Sequence, residues 1–136
     1  MKVLVDTSVW SFALRRRSKA AATDIADELK RLIIAYRATI IGVIRQELLL
    51  GIRTSEQYIE LRDRLRAFPD LQLRTEDYEV GAHFFNVCRS RGIQGSNTDF
   101  LLCAVAAQRD IPIFTTDRDF ERYETILPVR RHRPGA

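Results

Sequence analysis

Short apolar segments alternate along this chain with longer stretches of helical periodicity, and this alternation restricts the fold more than any other feature. The first segment is Val3-Leu4-Val5. We predict further strands at residues 39–41, 71–73 and 110–114, and a weak one at 125–127. Strands that alternate with helices form a parallel sheet with helices on both faces, because the crossovers are right-handed. The expected architecture is therefore a three-layer α/β/α fold with a four- to five-stranded parallel sheet.

The length and composition are those of one folded domain. Of the 136 residues, 46% are hydrophobic and 29% are charged, a balance typical of globular proteins. We expect a single domain over residues 1–136, with a core that ends near residue 127 and a basic tail at 128–136. No apolar run approaches the ~20 residues of a membrane span, and the first residues lack a signal-peptide pattern. We therefore expect a cytoplasmic protein with no membrane partner.

The charged and metal-binding residue types narrow the possible partners. The formal net charge is +4, which favours a polyanionic partner, and the densest basic runs are Arg15-Arg16-Arg17 and residues 130–133. Cys88 and Cys103 lie far apart, without histidine or cysteine at metal-ligand spacing, so a zinc site is not expected. Charge alone permits nucleic-acid binding and does not prove it.

Two of the predicted strands are followed at once by an aspartate. Asp6 follows the first strand, and Asp117 follows the Ile113-Phe114-Thr115-Thr116 run. Each has a simpler explanation as a helix N-cap, although Asp119 is the better candidate cap after the second strand. The carboxyl ends of parallel strands meet at one edge of the sheet, where ligands bind. Acids gathered there repel each other unless a hard cation lies between them.

Asp99 begins the most apolar helical pattern of the chain, residues 100–107. The segment Ser96-Asn97-Thr98-Asp99 resembles a capping box, which by itself explains an acid in the first turn. The capping box does not explain why Asp99 shares a face with apolar residues of a helix that must be buried. Asp99 is therefore also a candidate metal ligand.

Glu47 lies within the apolar stripe of a predicted short helix at residues 43–50. A glutamate in such a stripe is costly unless it is paired or binds a metal ion. A buried salt bridge to Arg45 or Arg53 is an equally good explanation for Glu47 taken alone. A further helix is expected to start with Ser55 as its cap.

Taken together, the four acids indicate one site. Asp6, Glu47, Asp99 and Asp117 can converge on the crevice at the edge of a parallel sheet. Oxygen ligands of this kind suit Mg²⁺ or Mn²⁺. Such ions activate a water and stabilise the leaving oxygen in phosphodiester hydrolysis, so no covalent nucleophile is required.

The same residues resemble the motifs of PIN domains, and specifically those of the VapC-like ribonuclease toxins of toxin–antitoxin pairs. Asp6-Thr7-Ser8-Val9-Trp10 resembles the opening motif of the family, and Gln46-Glu47-Leu48-Leu49-Leu50-Gly51 resembles its helix-borne acidic motif. Asn97-Thr98-Asp99 and the run from Thr115 to Phe120 resemble its closing pair. The likeness extends from the first strand to about Leu127, nearly the whole chain.

This resemblance implies a PIN-like fold and an endoribonuclease that depends on Mg²⁺ or Mn²⁺. Asp6 and Asp99 would be the principal metal ligands, with Asp117 assisting, and Glu47 would act through a water or as proton acceptor. Ser8 and Thr116 would hydrogen-bond the acids or a phosphate. The family also implies an RNA substrate, a homodimer and a small VapB-like antitoxin as partner.

Other functions compatible with the sequence differ in what they require of the acids. The main alternative is a non-catalytic module of the same fold that binds nucleic acid or protein, in which the acids are only caps and salt-bridge partners. Nucleases that act on DNA flaps or in RNA maturation usually carry extra domains, for which the chain is short. A phosphatase with an aspartate nucleophile usually has a second acid two residues after the first, where this chain has Ser8.

Overall fold

A small parallel sheet lies at the centre of the computed structural model, which describes residues 1–14 and 20–136, without the side chains of residues 20–23. The strands are β1 (Val3–Val5), β2 (Ala38–Thr39) and β3 (Ile113–Phe114), in the order β2-β1-β3. In the register, Val3 pairs with Ala38, and Leu4 pairs with Thr39 and Ile113. The basic run at residues 15–17 lies outside the described residues.

The sheet has three strands within the described residues, fewer than the four to five that we predicted. A single parallel bridge adds one more paired residue beside each edge of the sheet: Ile40 pairs with Asp70, and Ile113 pairs with Arg131. The predicted strand at 71–73 makes a single backbone hydrogen bond to the sheet, from Leu71 N–H to the Ile40 carbonyl at 2.8 Å, before a helix begins. Residues 125–127 form no strand, because their N–H groups donate within the turn that ends the last helix.

Helices fill the connections between the strands. In the described ranges they are α1 (Thr7–Leu14), α2 (Ala20–Ile34), α3 (Gly42–Leu49), α4 (Ser55–Leu65), α5 (Thr75–Ser90), α6 (Asn97–Arg109) and α7 (Asp119–Glu124). The connections from β1 to β2 and from β2 to β3 run in opposite directions across the sheet, for which right-handed crossovers predict helices on both faces. Within these connections α1 packs on α2 and α5 packs on α6, and α3 of the second connection also packs on α1. None of the helices in the described part of the chain has the length and hydropathy needed to cross a bilayer.

The helix starts follow capping chemistry. Ser96 caps α6, because its Oγ accepts the Asp99 N–H at 3.0 Å, which is the first of the two bonds of the predicted capping box. The N-cap of α4 is Thr54, one residue before the predicted Ser55. Thr54 Oγ1 accepts a hydrogen bond from Gln57 N–H, and Ser55 is the first helical residue. The apolar helix α6 is buried over residues 102–106, as its composition predicts.

Leu127 is the last buried apolar residue, and beyond it the C-terminal segment joins the packed body through a polar contact. The His132 side chain is buried, and its Nε2 lies 2.6 Å from Oε2 of Glu28 in α2. Gly135 N–H donates to the same oxygen at 3.1 Å. Arg31 donates to both Glu28 oxygens, at 2.7 and 2.9 Å. Glu28 therefore joins α2 to the C-terminal segment, a contact across more than a hundred residues that no local pattern reveals.

We expect Glu28→Gln to destabilise the protein by about 1.5–3 kcal/mol at pH 7, because hydrogen bonds to a charged acceptor are lost. The Arg31 hydrogen bond, and then that of His132, lower the pKa of Glu28 to about 2. A lowered pKa stabilises the folded state above the ordinary value of 4.5, and this contribution disappears as the pH falls toward 2. In urea unfolding measured from pH 2 to 7, the difference in free energy of unfolding between the variant and wild type should therefore shrink as the pH falls. Glu79→Gln, an exposed site on α5, is the control; equal stability of the Glu28 variant and wild type at pH 7 would contradict this account.

Candidate metal centre

Three aspartates meet at the carboxyl edge of the sheet. Carboxylate oxygens of Asp99, Asp117 and Asp119 all lie within 4.8 Å of one another. Asp99 comes from the first turn of α6, Asp117 from the loop after β3, and Asp119 is the first residue of α7. The sequence pattern predicts Asp119 as the cap of α7, but Asp119 is the first helical residue and its N–H donates to Oδ1 of Asp117 at 2.9 Å. Its place two residues after Asp117, in Thr-Asp-Arg-Asp, was the available signal for a second ligand.

Asp6 lies at the same edge, directly after β1, and is 6% exposed. Its Oδ2 accepts hydrogen bonds from Ser8 Oγ at 2.9 Å and from Thr115 Oγ1 at 2.8 Å. Burial raises the pKa of Asp6 despite these bonds. Burial also raises the pKa of Asp99, and the negative charges of Asp6 and Asp117 raise it further. The charges of Asp6 and Asp117 therefore act on Asp99, which places these three carboxylates in one electrostatic environment.

Hydroxyl groups connect the two strand ends that carry Asp6 and Asp117. Ser8 Oγ accepts the Thr116 N–H at 3.0 Å, and Thr115 Oγ1 accepts the Asp117 N–H at 3.0 Å. We predicted that Ser8 and Thr116 would hydrogen-bond the acids or a phosphate. Ser8 does so through its hydroxyl, whereas the threonine hydroxyl that reaches Asp6 is that of Thr115. The network fixes Asp6 and orients the loop that presents Asp117.

Glu47 lies apart from the three-aspartate cluster of the described residues. It is half-buried on α3, and its Oε1 accepts a hydrogen bond from Thr7 Oγ1 at 2.7 Å. The alternative salt bridge to Arg45 is not formed, because Arg45 pairs with Asp70 at 2.9 Å instead. Thr7 directly follows Asp6, so this hydrogen bond links Glu47 to the edge of the site. The role of Glu47 stays a prediction.

Protein cations do little to balance these acids. Within residues 1–14 and 20–136, no arginine, lysine or histidine forms an ion pair with Asp6, Asp99 or Asp117. Asp119 alone of the four pairs with a cation, Arg122, at 3.2 Å. Closely spaced carboxylates without cationic partners form the donor set that suits a hard divalent ion. The residues present therefore fit Mg²⁺ or Mn²⁺.

A tyrosine completes the contacts of the cluster. The hydroxyl of Tyr123, in α7, donates to Oδ2 of Asp99 at 2.7 Å. Tyr123 itself is fully buried. No sequence pattern singled out this residue, because an aromatic side chain at helical spacing usually belongs to the core.

The same fold occurs in solved structures of low sequence identity. FitAcB from Neisseria gonorrhoeae matches with a TM-score of 0.77 and 21% identity, over 97% of this chain and 97% of that chain. VapBC-5 from Mycobacterium tuberculosis matches with a TM-score of 0.68 and 21% identity, over 97% and 98%. VapBC2 from Rickettsia felis matches with a TM-score of 0.74 and 17% identity, over 97% and 98%. At these identities the likeness establishes the fold alone.

Sequence comparison supplies the family. A search among curated proteins gives no significant match. The family model described as "PIN domain" matches residues 3–126, which include all four aspartates and Glu47. The chain therefore belongs to the PIN domain family.

Proposed function

We propose that this protein is an endoribonuclease that depends on Mg²⁺ or Mn²⁺ and acts as the toxin of a VapBC-type toxin–antitoxin pair. The observation that carries the proposal is the approach of Asp99, Asp117 and Asp119 to within 4.8 Å of one another. Their mutual repulsion is costly unless a cation offsets it. Membership of the PIN domain family over residues 3–126 supports a nuclease function for this cluster.

Each acid has a distinct proposed role. Asp6, Asp99 and Asp117 would hold the ion, and the proximity of Asp99 and Asp117 to Asp119 adds this residue to the set. When bound, the ion would supply an activated water and stabilise the leaving oxygen of the phosphodiester. Glu47 would accept a proton, directly or through a water, while the Thr7 hydroxyl keeps its carboxylate in place.

The charge of the protein supports an anionic polymer as substrate. The formal net charge is +4, and Lys2, Lys19 and Lys30 are the only lysines among 22 basic residues. Arg118 lies in sequence between two of the clustered aspartates, and its side chain is 89% exposed. An exposed guanidinium beside the site is well suited to bind a phosphate with two hydrogen bonds. The choice of RNA over DNA rests on the resemblance to ribonuclease toxins.

The proposed partners come from the same resemblance and from the structural relatives. The Mycobacterium tuberculosis protein is a member of the VapBC family of toxin–antitoxin systems. We propose a cognate VapB-like antitoxin for this chain as well. A homodimer and a cytoplasmic location stay predictions.

Asp6→Asn and Asp99→Asn are each expected to abolish RNA cleavage while leaving the fold intact. Losing a ligand should cost more than the roughly 10–100-fold that loss of an outer-shell partner costs. Mn²⁺ should raise the unfolding temperature of wild type and not that of Asp99→Asn. A labelled-RNA cleavage assay and thermal unfolding with Mn²⁺ or EDTA measure both effects. Asp63→Asn, an exposed acid on α4, is the matched control.

Full cleavage by either variant would contradict the proposal. If wild type neither cleaves RNA nor responds to metal, the acids are structural and the protein is a binding module.

The role of Asp119 can be separated from its ion pair with Arg122. If Asp119 contributes to metal binding, Asp119→Asn should weaken Mn²⁺ binding by about 10-fold or more. Arg122→Ala, which removes only the ion pair, should leave Mn²⁺ affinity unchanged or raise it, because a competing cation is lost. Calorimetric titration measures both, and equal losses in the two variants would show that Asp119 acts only through the ion pair.

A further inference from the structure

The hydroxyl of Tyr123 reaches the proposed metal centre from inside the core. Its Oη lies 2.7 Å from Oδ2 of Asp99. Ser96, the N-cap of α6, also hydrogen-bonds Asp99, but from the same turn of the chain, whereas Tyr123 reaches the carboxylate from another helix. Asp99 therefore has its Oδ2 engaged by a donor that is fixed in the core.

Two aromatic neighbours prevent the Tyr123 ring from turning away. Phe120 packs edge-on against it, with ring centroids 5.0 Å apart and planes at 74°. Phe100 lies 5.1 Å away at 49°. Phe100 follows Asp99 in the chain, and Phe120 follows Asp119. The aromatic cluster thus joins the starts of α6 and α7, the two helices that carry these acids.

Gly95 leaves the space that the hydroxyl occupies. A Cβ at this position would lie 2.2 Å from Tyr123 Oη and 2.9 Å from the Phe100 ring, so any larger residue would displace the hydroxyl. Gly95 does not have the positive φ of Gly51 or Gly92. The requirement for glycine here is space beside the Tyr123–Asp99 contact.

We propose that Tyr123 is a positioning residue that fixes the orientation of the Asp99 carboxylate for divalent-metal binding. The inference rests on the proposed function, because it takes Asp99 as a metal ligand. A preset carboxylate loses less rotational freedom when the ion binds, and an outer hydrogen bond to a ligand typically changes metal affinity by 10–100-fold. Gly95 and the two phenylalanines support the same contact.

A purely structural role for Tyr123 makes a different prediction. The aromatic ring alone provides the packing against Phe100 and Phe120, and Tyr123→Phe keeps that ring. If the hydroxyl only fills space, the variant should bind metal like wild type. If the hydroxyl orients Asp99, metal affinity should fall while the fold is kept.

The test is calorimetric titration of MnCl₂ into metal-free protein, together with thermal unfolding in EDTA. We expect Tyr123→Phe to fold and to bind Mn²⁺ about 10–100-fold more weakly than wild type. Tyr78→Phe, which removes an exposed hydroxyl on α5, should bind like wild type. Gly95→Ala should weaken binding to a similar extent.

The outcomes separate this inference from the proposed function. Wild-type affinity in Tyr123→Phe would overturn the positioning role and leave the metal site standing. Absence of Mn²⁺ binding by wild type would overturn both the metal site and the role of Tyr123.

Discussion

The arrangement of the site depends on repulsion among carboxylates at the edge of a parallel sheet. The strands deliver Asp6 and Asp117 to one edge, and α6 adds Asp99 from its first turn. Asp6 and Asp99 have raised pKa values, chiefly because burial disfavours their charged forms. The hydroxyls of Ser8, Thr115 and Tyr123 oppose this effect, since each donates a hydrogen bond to a carboxylate. The fold thus holds acids together at a cost that a cation would relieve.

The stability that offsets this cost comes from elsewhere in the molecule. All three residues of β1 are fully buried, and residues 102–106 of α6 are also buried. The contacts of Glu28 with Arg31, His132 and the Gly135 N–H fasten the C-terminal segment beside β3. Functional sites commonly carry unfavourable interactions that the rest of a protein compensates. In this protein, rigid strands and helix starts let the acids approach without relaxing apart.

The sequence predicted those features that depend on local pattern. Asp6 and Asp117 stand at strand ends, and Asp99 lies in the first turn of α6, positions that periodicity and capping patterns predicted. Asp119 was missed as a cluster member because a cap explains an acid at a helix start equally well. Tyr123 was missed because its contact with Asp99 spans 24 residues and depends on packing.

Other features of the fold depend on contacts distant in sequence. The number of strands differed from the prediction because pairing at each edge of the sheet stops after one bridge. The threonine hydroxyl that donates to Asp6 is that of Thr115, because the loop conformation after β3 decides which hydroxyl faces this acid. The burial of His132 depends on a partner in α2. Such contacts arise from three-dimensional packing and leave no periodic signal in the chain.

The central claim is that these aspartates form one divalent-metal site. The most direct measurement is a crystal structure of the protein grown with Mn²⁺, with anomalous diffraction used to locate the metal. We predict an anomalous peak within coordination distance, about 2.0–2.5 Å, of carboxylate oxygens from Asp99 and Asp117, with Asp6 or Asp119 completing the protein ligands. Ordered carboxylates with no anomalous peak at saturating Mn²⁺, or a peak only at another surface, would contradict the account.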